Sequence, residues 1–261
     1  MVIIRIFATL VFVVLGFVNT VVFGSYGTLV GFLPPRGDWT LRGARVWARL
    51  VLLGGFVRLR AEGLENVPRP GPVVFMSNHE SWLDIPALLA AIPVQVRFLA
   101  KKSLFAIPFF GWAIGAMGFI PVDRKNRSTA VRSFDEAAER IRHGRSVLLF
   151  PEETRSRDAN LLPFQRGGFL IALKAGIPVV PVGLDGPRRC LPKFSYLLRP
   201  GTIRVRFGAP IPTASLGVTG KAELMEAVRR AIEELRGNTA TTAAVAADGV
   251  ALAEQGTSHD H

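Results

Sequence analysis

Val73-Val74-Phe75-Met76-Ser77-Asn78-His79-Glu80-Ser81-Trp82-Leu83-Asp84-Ile85-Pro86-Ala87-Leu88-Leu89-Ala90-Ala91 is the stretch from which the chain is read. The apolar run 73–76 has the length and branching of a buried strand. Residues 85–91 read as a helix, with Pro86 in the first turn, where a missing N–H costs nothing. Between strand and helix stand a histidine and an aspartate, five positions apart. On a regular helix five residues advance roughly 140° beyond a full turn. His79 and Asp84 can therefore meet only if His79 lies on the turn that enters the helix. An imidazole held there by a carboxylate has a fixed tautomer and can take a proton from a hydroxyl. Asp84 is equally a good helix N-cap. The two roles are compatible, because one oxygen can cap while the other holds the ring.

Strand-like and helix-like segments alternate downstream. Residues 94–100 predict a strand, 101–117 an apolar helical stretch, and 118–122 a short strand. Val131, Phe134, Ala138 and Ile141 recur at three and four, with Gly144 as the stop. Residues 146–150 predict a buried strand, 164–175 a helix, 177–184 a strand and 202–207 an alternating strand. Leu224, Val228, Ile232 and Leu235 mark a last helix ended by Gly237. This is an α/β pattern: a mixed, largely parallel sheet flanked by helices. Three units follow: 1–60 a membrane anchor with an interfacial helix, 61–237 the α/β domain, and 238–261 a disordered Ala/Thr-rich tail. Residues 62–72, with their glycines and prolines, read as the linker into the domain.

Upstream, Ile6 to Pro35 are 30 consecutive residues without a charge, more than the ~20 needed to cross a hydrocarbon core. The run is too long for a signal peptide and has no Ala-x-Ala near its end. Gly24, Gly27 and Gly31 interrupt it, which leaves open one spanning helix or two shorter ones that enter and return. From Trp39 to Arg60, arginines 42, 45 and 49 share one helix face among Trp47, Leu50 and Leu53. Such a helix suits a membrane surface, its arginines among lipid phosphates, or else packs on the domain's own core. Basic residues after the apolar run place the domain on the cytoplasmic side. The Arg/Ala-rich composition points to a bacterial inner membrane.

The net charge of +12, with 26 of the 32 basic residues arginine, favours anionic partners. No zinc-finger, leucine-zipper or RNA-binding signature is present, so nucleic acid is not the expected partner. The single cysteine, Cys190, excludes an internal disulfide, and four histidines, two of them in the last three residues, leave little for a metal.

Function in α/β folds gathers where strands end. Lys101-Lys102, Asp123 to Arg127, and Pro151-Glu152-Glu153-Thr154-Arg155-Ser156-Arg157 each follow an apolar strand-like run. Arginine there offers a fork matched to phosphate oxygens, and lysine adds a point charge. With these residues in view, the chain resembles the glycerolipid acyltransferase family, whose best-known members are lysophosphatidic acid acyltransferases. Asn78 to Asp84 resembles the family's His-x4-Asp block. Gly118-Phe119-Ile120-Pro121-Val122-Asp123-Arg124 is similar to the second block, Phe150 to Ser156 to the third (usually Phe-Pro-Glu-Gly-Thr-Arg-Ser), and Ile177 to Val182 to the fourth. All four occur in the family's order within about residues 40–210.

The resemblance implies a direct acyl transfer without a protein nucleophile. His79 would be the general base and Asp84 its holder. Arg124 and Arg155, with Lys101, would hold the acceptor phosphate, and Glu152 and Thr154 would belong to the acceptor site. The acceptor would be lysophosphatidic acid and the product phosphatidic acid. The donor would be acyl-CoA or acyl-carrier protein, with no cofactor and the bilayer as partner. Ser77 and Ser81 lack the Gly-x-Ser-x-Gly elbow of a serine hydrolase. Glu153 departs from the pattern, standing where the family usually has glycine. A carboxylate there would crowd or repel a phosphate. This keeps a different lysolipid acceptor, or a catalytically inactive lipid-binding membrane protein, as alternatives.

Overall fold

The computed structural model describes residues 2–34, 37–123, 127–158, 160–195, 197–217 and 219–237; Arg124 and the tail from Asn238 lie outside the described residues. Seven strands, β1 (Val57–Glu62), β2 (Val74–Ser77), β3 (Val96–Lys101), β4 (Ile120–Val122), β5 (Ser146–Leu149), β6 (Val179–Asp185) and β7 (Gly201–Phe207), form one sheet. Their order is β1-β7-β6-β2-β5-β3-β4. Every pairing is parallel except β6 with β7. The C-terminal ends of β2, β3, β4, β5 and β6 therefore share one edge. The helices are α1 (Val2–Val30), α2 (Asp38–Gly54), α3 (Asp84–Ala91), α4 (Phe110–Ala116), α5 (Arg127–Arg142), α6 (Arg166–Ala175), α7 (Pro187–Cys190) and α8 (Lys221–Leu235).

The central strands are unbroken apolar runs because helices cover both faces. Phe75 packs with Leu41, Leu52, Leu88 and Phe98 on the side of α2 and α3. Val74 and Met76 point the other way, to Ile141, Phe169, Val228 and Ile232 of α5, α6 and α8. These side chains are all at or near zero exposure. A large apolar area is thus removed from water at about 25 cal/mol per Å².

Four features differ from the sequence reading. Val57–Glu62 is strand β1, paired in register with β7, whereas its arginines 58 and 60 were read with the preceding helix. The apolar stretch after Lys101 is not one helix. A tight 3-10 turn at Lys102–Ala106 precedes the short α4. The glycines of α1 do not interrupt it. A Cβ on Gly24 would lie 2.8 Å from the Phe109 carbonyl oxygen, one on Gly27 2.8 Å from Thr40 Cγ2, and one on Gly31, just past the helix, 2.7 Å from Ala116 Cβ. They are the points where α1 rests on α2 and α4. At 29 residues α1 is about 43 Å long, and it is apolar enough to cross a membrane.

Arg45 is the fourth. Its Nη2 donates to the carbonyl oxygen of Ile92 at 3.0 Å and also to that of Val94, closing the C-terminal end of α3. Burial first, then Arg49 and Arg42, lower its pKa. It serves the domain and not lipid phosphates, because α2 buries Leu41, Ala44, Ala48, Val51 and Leu52 in the core. Asp38, in the first turn of α2, pairs with Arg97 at 3.0 Å and with Arg145, fixing the helix to the sheet.

Candidate active site

β2 ends at Ser77, and the chain turns at once into the His79 loop before α3 starts at Asp84. His79 therefore lies on the entering turn, as its spacing from Asp84 requires. His79 Nδ1 is 2.7 Å from Asp84 Oδ2. The same oxygen accepts the N–H groups of Glu80 at 2.7 Å and Ser81 at 2.9 Å. Oδ2 already accepts two backbone N–H groups, so it meets the ring as an acceptor too: Nδ1 carries the proton and Nε2 keeps its lone pair. The ring stacks on Phe150 with centroids 4.0 Å apart. Asp84 takes only one of the two roles open to it: it holds the imidazole, whereas the N-cap of α3 is Leu83, no side chain caps the helix, and Asp84 Oδ1 is buried without a hydrogen-bond partner among the described residues.

The loop is tied to four distant parts of the chain. Asn78 completes the end of β6: its Nδ2 donates to Leu184 O at 3.0 Å and its Oδ1 accepts Leu184 N–H at 2.7 Å. Ser81 Oγ donates to Leu191 O at 2.7 Å, which commits that hydroxyl to structure. Glu152 accepts His79 N–H at 2.8 Å through Oε1 and Leu162 N–H at 2.8 Å through Oε2. Arg236, just beyond α8, reaches Glu80 Oε1 at 2.8 Å. Burial raises the pKa of Glu152, against the opposing hydrogen bonds from Leu162 and His79. Burial, helped by the Asp84 charge, pushes Glu80 up to about 7 although Arg236, Asn78 and Arg188 oppose it.

The residues expected from sequence divide into three groups. His79 and Asp84 are brought together. Glu152 is beside them, but as a brace for backbone N–H groups. Its two oxygens are taken by the His79 and Leu162 N–H groups, and the side chain is buried. Arg155 is also close. Its guanidinium lies over Trp82, 4.7 Å from the ring centroid, and the next residue, Ser156, donates its N–H to His79 O at 2.8 Å. Thr154 is exposed on the same turn. Lys101 ends β3 at the same sheet edge but two strands from β2, exposed and in register with Val122. Arg124 lies outside the described residues.

Glu153 has φ +54°, a left-handed conformation. The position asks for glycine on backbone grounds, because the Cβ of other residues is penalised there. It lines a small pocket together with Leu99, Val122, Phe134, Phe150 and Gln165. Asn78, Glu80, Phe150 and Arg236 were not assigned roles from sequence. Phe150 and Glu80 adjoin the motifs, whereas nothing local marks Arg236.

The acyltransferase family model matches residues 58–185. A chloroplastic 1-acyl-sn-glycerol-3-phosphate acyltransferase from Brassica napus is 39% identical over 170 residues, covering 64% of this chain and 49% of that protein. The chain thus spans about half the length of the plant relatives it matches. A 1-acyl-sn-glycerol-3-phosphate acyltransferase from Pseudomonas aeruginosa is 31% identical over 190 residues, 72% of each chain. The crystal structure of the 1-acyl-sn-glycerophosphate acyltransferase from Thermotoga maritima superposes with a TM-score of 0.77 at 28% identity, over 90% of this chain and 98% of that one. Matched along most of a bacterial relative and in sheet architecture, the chain belongs to the acyltransferase family that includes the 1-acyl-sn-glycerol-3-phosphate acyltransferases.

Proposed function

We propose that the chain transfers a fatty acyl group from an acyl thioester to the free hydroxyl of lysophosphatidic acid, giving phosphatidic acid. The observation that carries this reading is the His79–Asp84 pair at 2.7 Å, at the sheet edge, in a chain whose relatives carry that name. His79 Nε2 takes the hydroxyl proton as the oxygen attacks the thioester carbonyl. The tetrahedral intermediate expels the thiolate, which recovers the proton from the imidazolium. Asp84 stabilises the imidazolium and fixes its tautomer. Arg155 and Arg124 hold the acceptor phosphate. The donor is acyl-CoA or acyl-carrier protein, and no cofactor takes part.

The long apolar α1 supports a membrane location, with α1 as the anchor, α2 and the sheet from β1 onward as the catalytic unit, and the latter on the cytoplasmic side. A small apolar cavity of about 50 Å³ lies between α1, α2, α3 and α4. Ile85, adjacent to Asp84, is in its wall, together with Phe23, Trp47, Leu89 and Ile114.

The test is transfer from labelled oleoyl-CoA to lysophosphatidic acid in detergent micelles. His79→Ala should lower turnover by about two to four orders of magnitude without unfolding, and Asp84→Asn should follow because its amide favours the wrong tautomer. Undiminished turnover in His79→Ala removes the mechanism. A second reading, another lysolipid as acceptor, is favoured by Glu153. It gains if wild type ignores lysophosphatidic acid and Glu153→Gly accepts it.

A further inference from the structure

Arg155, Arg157 and Lys193 form a cationic cluster beside the His79 loop, and the roles so far described use only the first. Lys193 lies between α7 and β7, and its Nζ donates to the Arg155 carbonyl oxygen at 2.6 Å. Lys193 Nζ and Arg157 Cζ both stand over the ring of Phe194, 5.5 Å and 5.3 Å from its centroid. Among the described residues, none of the three cations is paired with a carboxylate. Asp158, next in sequence to Arg157, turns its Oδ1 to Asn160 N–H at 3.0 Å and the Ser156 hydroxyl at 3.2 Å.

This arrangement is costly in three ways. Phe194 has φ +68°, a conformation that L side chains with a Cβ rarely adopt. The residue is 69% exposed, so the strain does not serve burial. Burial, then the charges of Arg157 and Arg155, lower the pKa of Lys193. A dianion set between the cations would relieve their repulsion. Lys193 has two N–H donors left after its bond to Arg155, and Arg157 has a planar fork. The Phe194 ring steadies each cation through its π system, 5.3 Å from Arg157 Cζ and 5.5 Å from Lys193 Nζ.

We propose that Arg157 and Lys193, over Phe194, form a binding site for a phosphomonoester dianion at the rim of the active site. Two substrates of the proposed reaction bring such a group: the head group of lysophosphatidic acid, and the ribose 3′-phosphate of an acyl-CoA. The assignment to a substrate rests on the acyl-transfer reading, but the existence of the anion site does not.

Two measurements separate these. The chain has six lysines, so the Lys193 side-chain resonance in the isotope-labelled full-length protein is the one lost in Lys193→Met. Inorganic phosphate should shift that resonance, and Arg157→Met should weaken the shift. An unmoved resonance overturns the site whatever the turnover. A clear shift in a protein without acyl transfer leaves the site standing and removes the reaction instead. With turnover in hand, Lys193→Met and Arg157→Met should each raise one KM by about tenfold or more, as for a lost charge-assisted bond. kcat should change little, and Lys193→Arg should recover most of the loss. A rise confined to lysophosphatidic acid assigns the acceptor. A rise confined to acyl-CoA, with indifference to a donor lacking the 3′-phosphate, assigns the donor. Arg157→Met leaves the Lys193–Arg155 bond in place. An effect in Lys193→Met alone would therefore mean simple anchoring of Arg155 and would overturn the proposal, as would no change in either KM.

Discussion

Two glutamates carry the consequences at the scale of single residues. Glu153 occupies a left-handed backbone position with a residue that has a Cβ. Glu153→Gly should stabilise the fold by about 1 kcal/mol, read as a rise in Tm of roughly 2–4 °C. Unchanged or lower Tm would mean that contacts of the Glu153 side chain outweigh the strain. Glu80 is held near pKa 7, above the ordinary value of 4.5. A carboxyl raised on folding stabilises most below its unfolded pKa and loses that contribution as pH rises through the folded one. Glu80→Gln keeps an acceptor for Arg236 and Asn78 but cannot ionise. Its Tm should match wild type near pH 4.5 and exceed it above pH 7, by the equivalent of at most about 3 kcal/mol. Parallel Tm curves across that range would sink the assignment. His79 and Asp84 were legible in sequence because strand, turn and helix fix their spacing. The Glu80–Arg236 pair joins residues 156 positions apart, and no local pattern carries it.

Among the elements, the contacts of α1 are the most exposed to test. Gly27 is in close contact with Thr40 of α2, while nothing lies within 4 Å of a Cβ on Gly16. Gly27→Leu should destabilise by about 1–3 kcal/mol through overpacking, and Gly16→Leu should be neutral or slightly stabilising. Thermal unfolding in detergent compares them directly, and equal behaviour would deny the packing. The glycines were read as interruptions because intrinsic propensity disfavours them in helices. Close approach of a second helix overrides that preference. β1 had a readable signal, since Val57, Leu59 and Ala61 alternate with charged residues, but it was masked by the arginines of α2 just before it. The central strands are legible because burial on both faces leaves short apolar runs, and their alternation with helical segments points to a largely parallel sheet.

For the whole molecule, a charge of +12 and an exposed apolar helix act together. Sedimentation with anionic vesicles should weaken between 0.1 M and 1 M salt, as the Debye length falls from about 10 Å to 3 Å. A fraction held by α1 should remain bound. Binding unaffected by salt would assign membrane contact to α1 alone. The fold class was legible from alternation of elements, but the strand order and the antiparallel turn of β7 were not, because they are set by long-range pairing. The anchoring of the His79 loop has a further consequence, in the order of synthesis. The dyad lies in the first third of the chain, yet its loop is fastened by residues 152, 184, 191 and finally 236. A chain still emerging from the ribosome carries His79 and Asp84 long before it carries Arg236. The pair is thus written early and braced late: the ties on its loop are complete only once the chain has passed the end of α8.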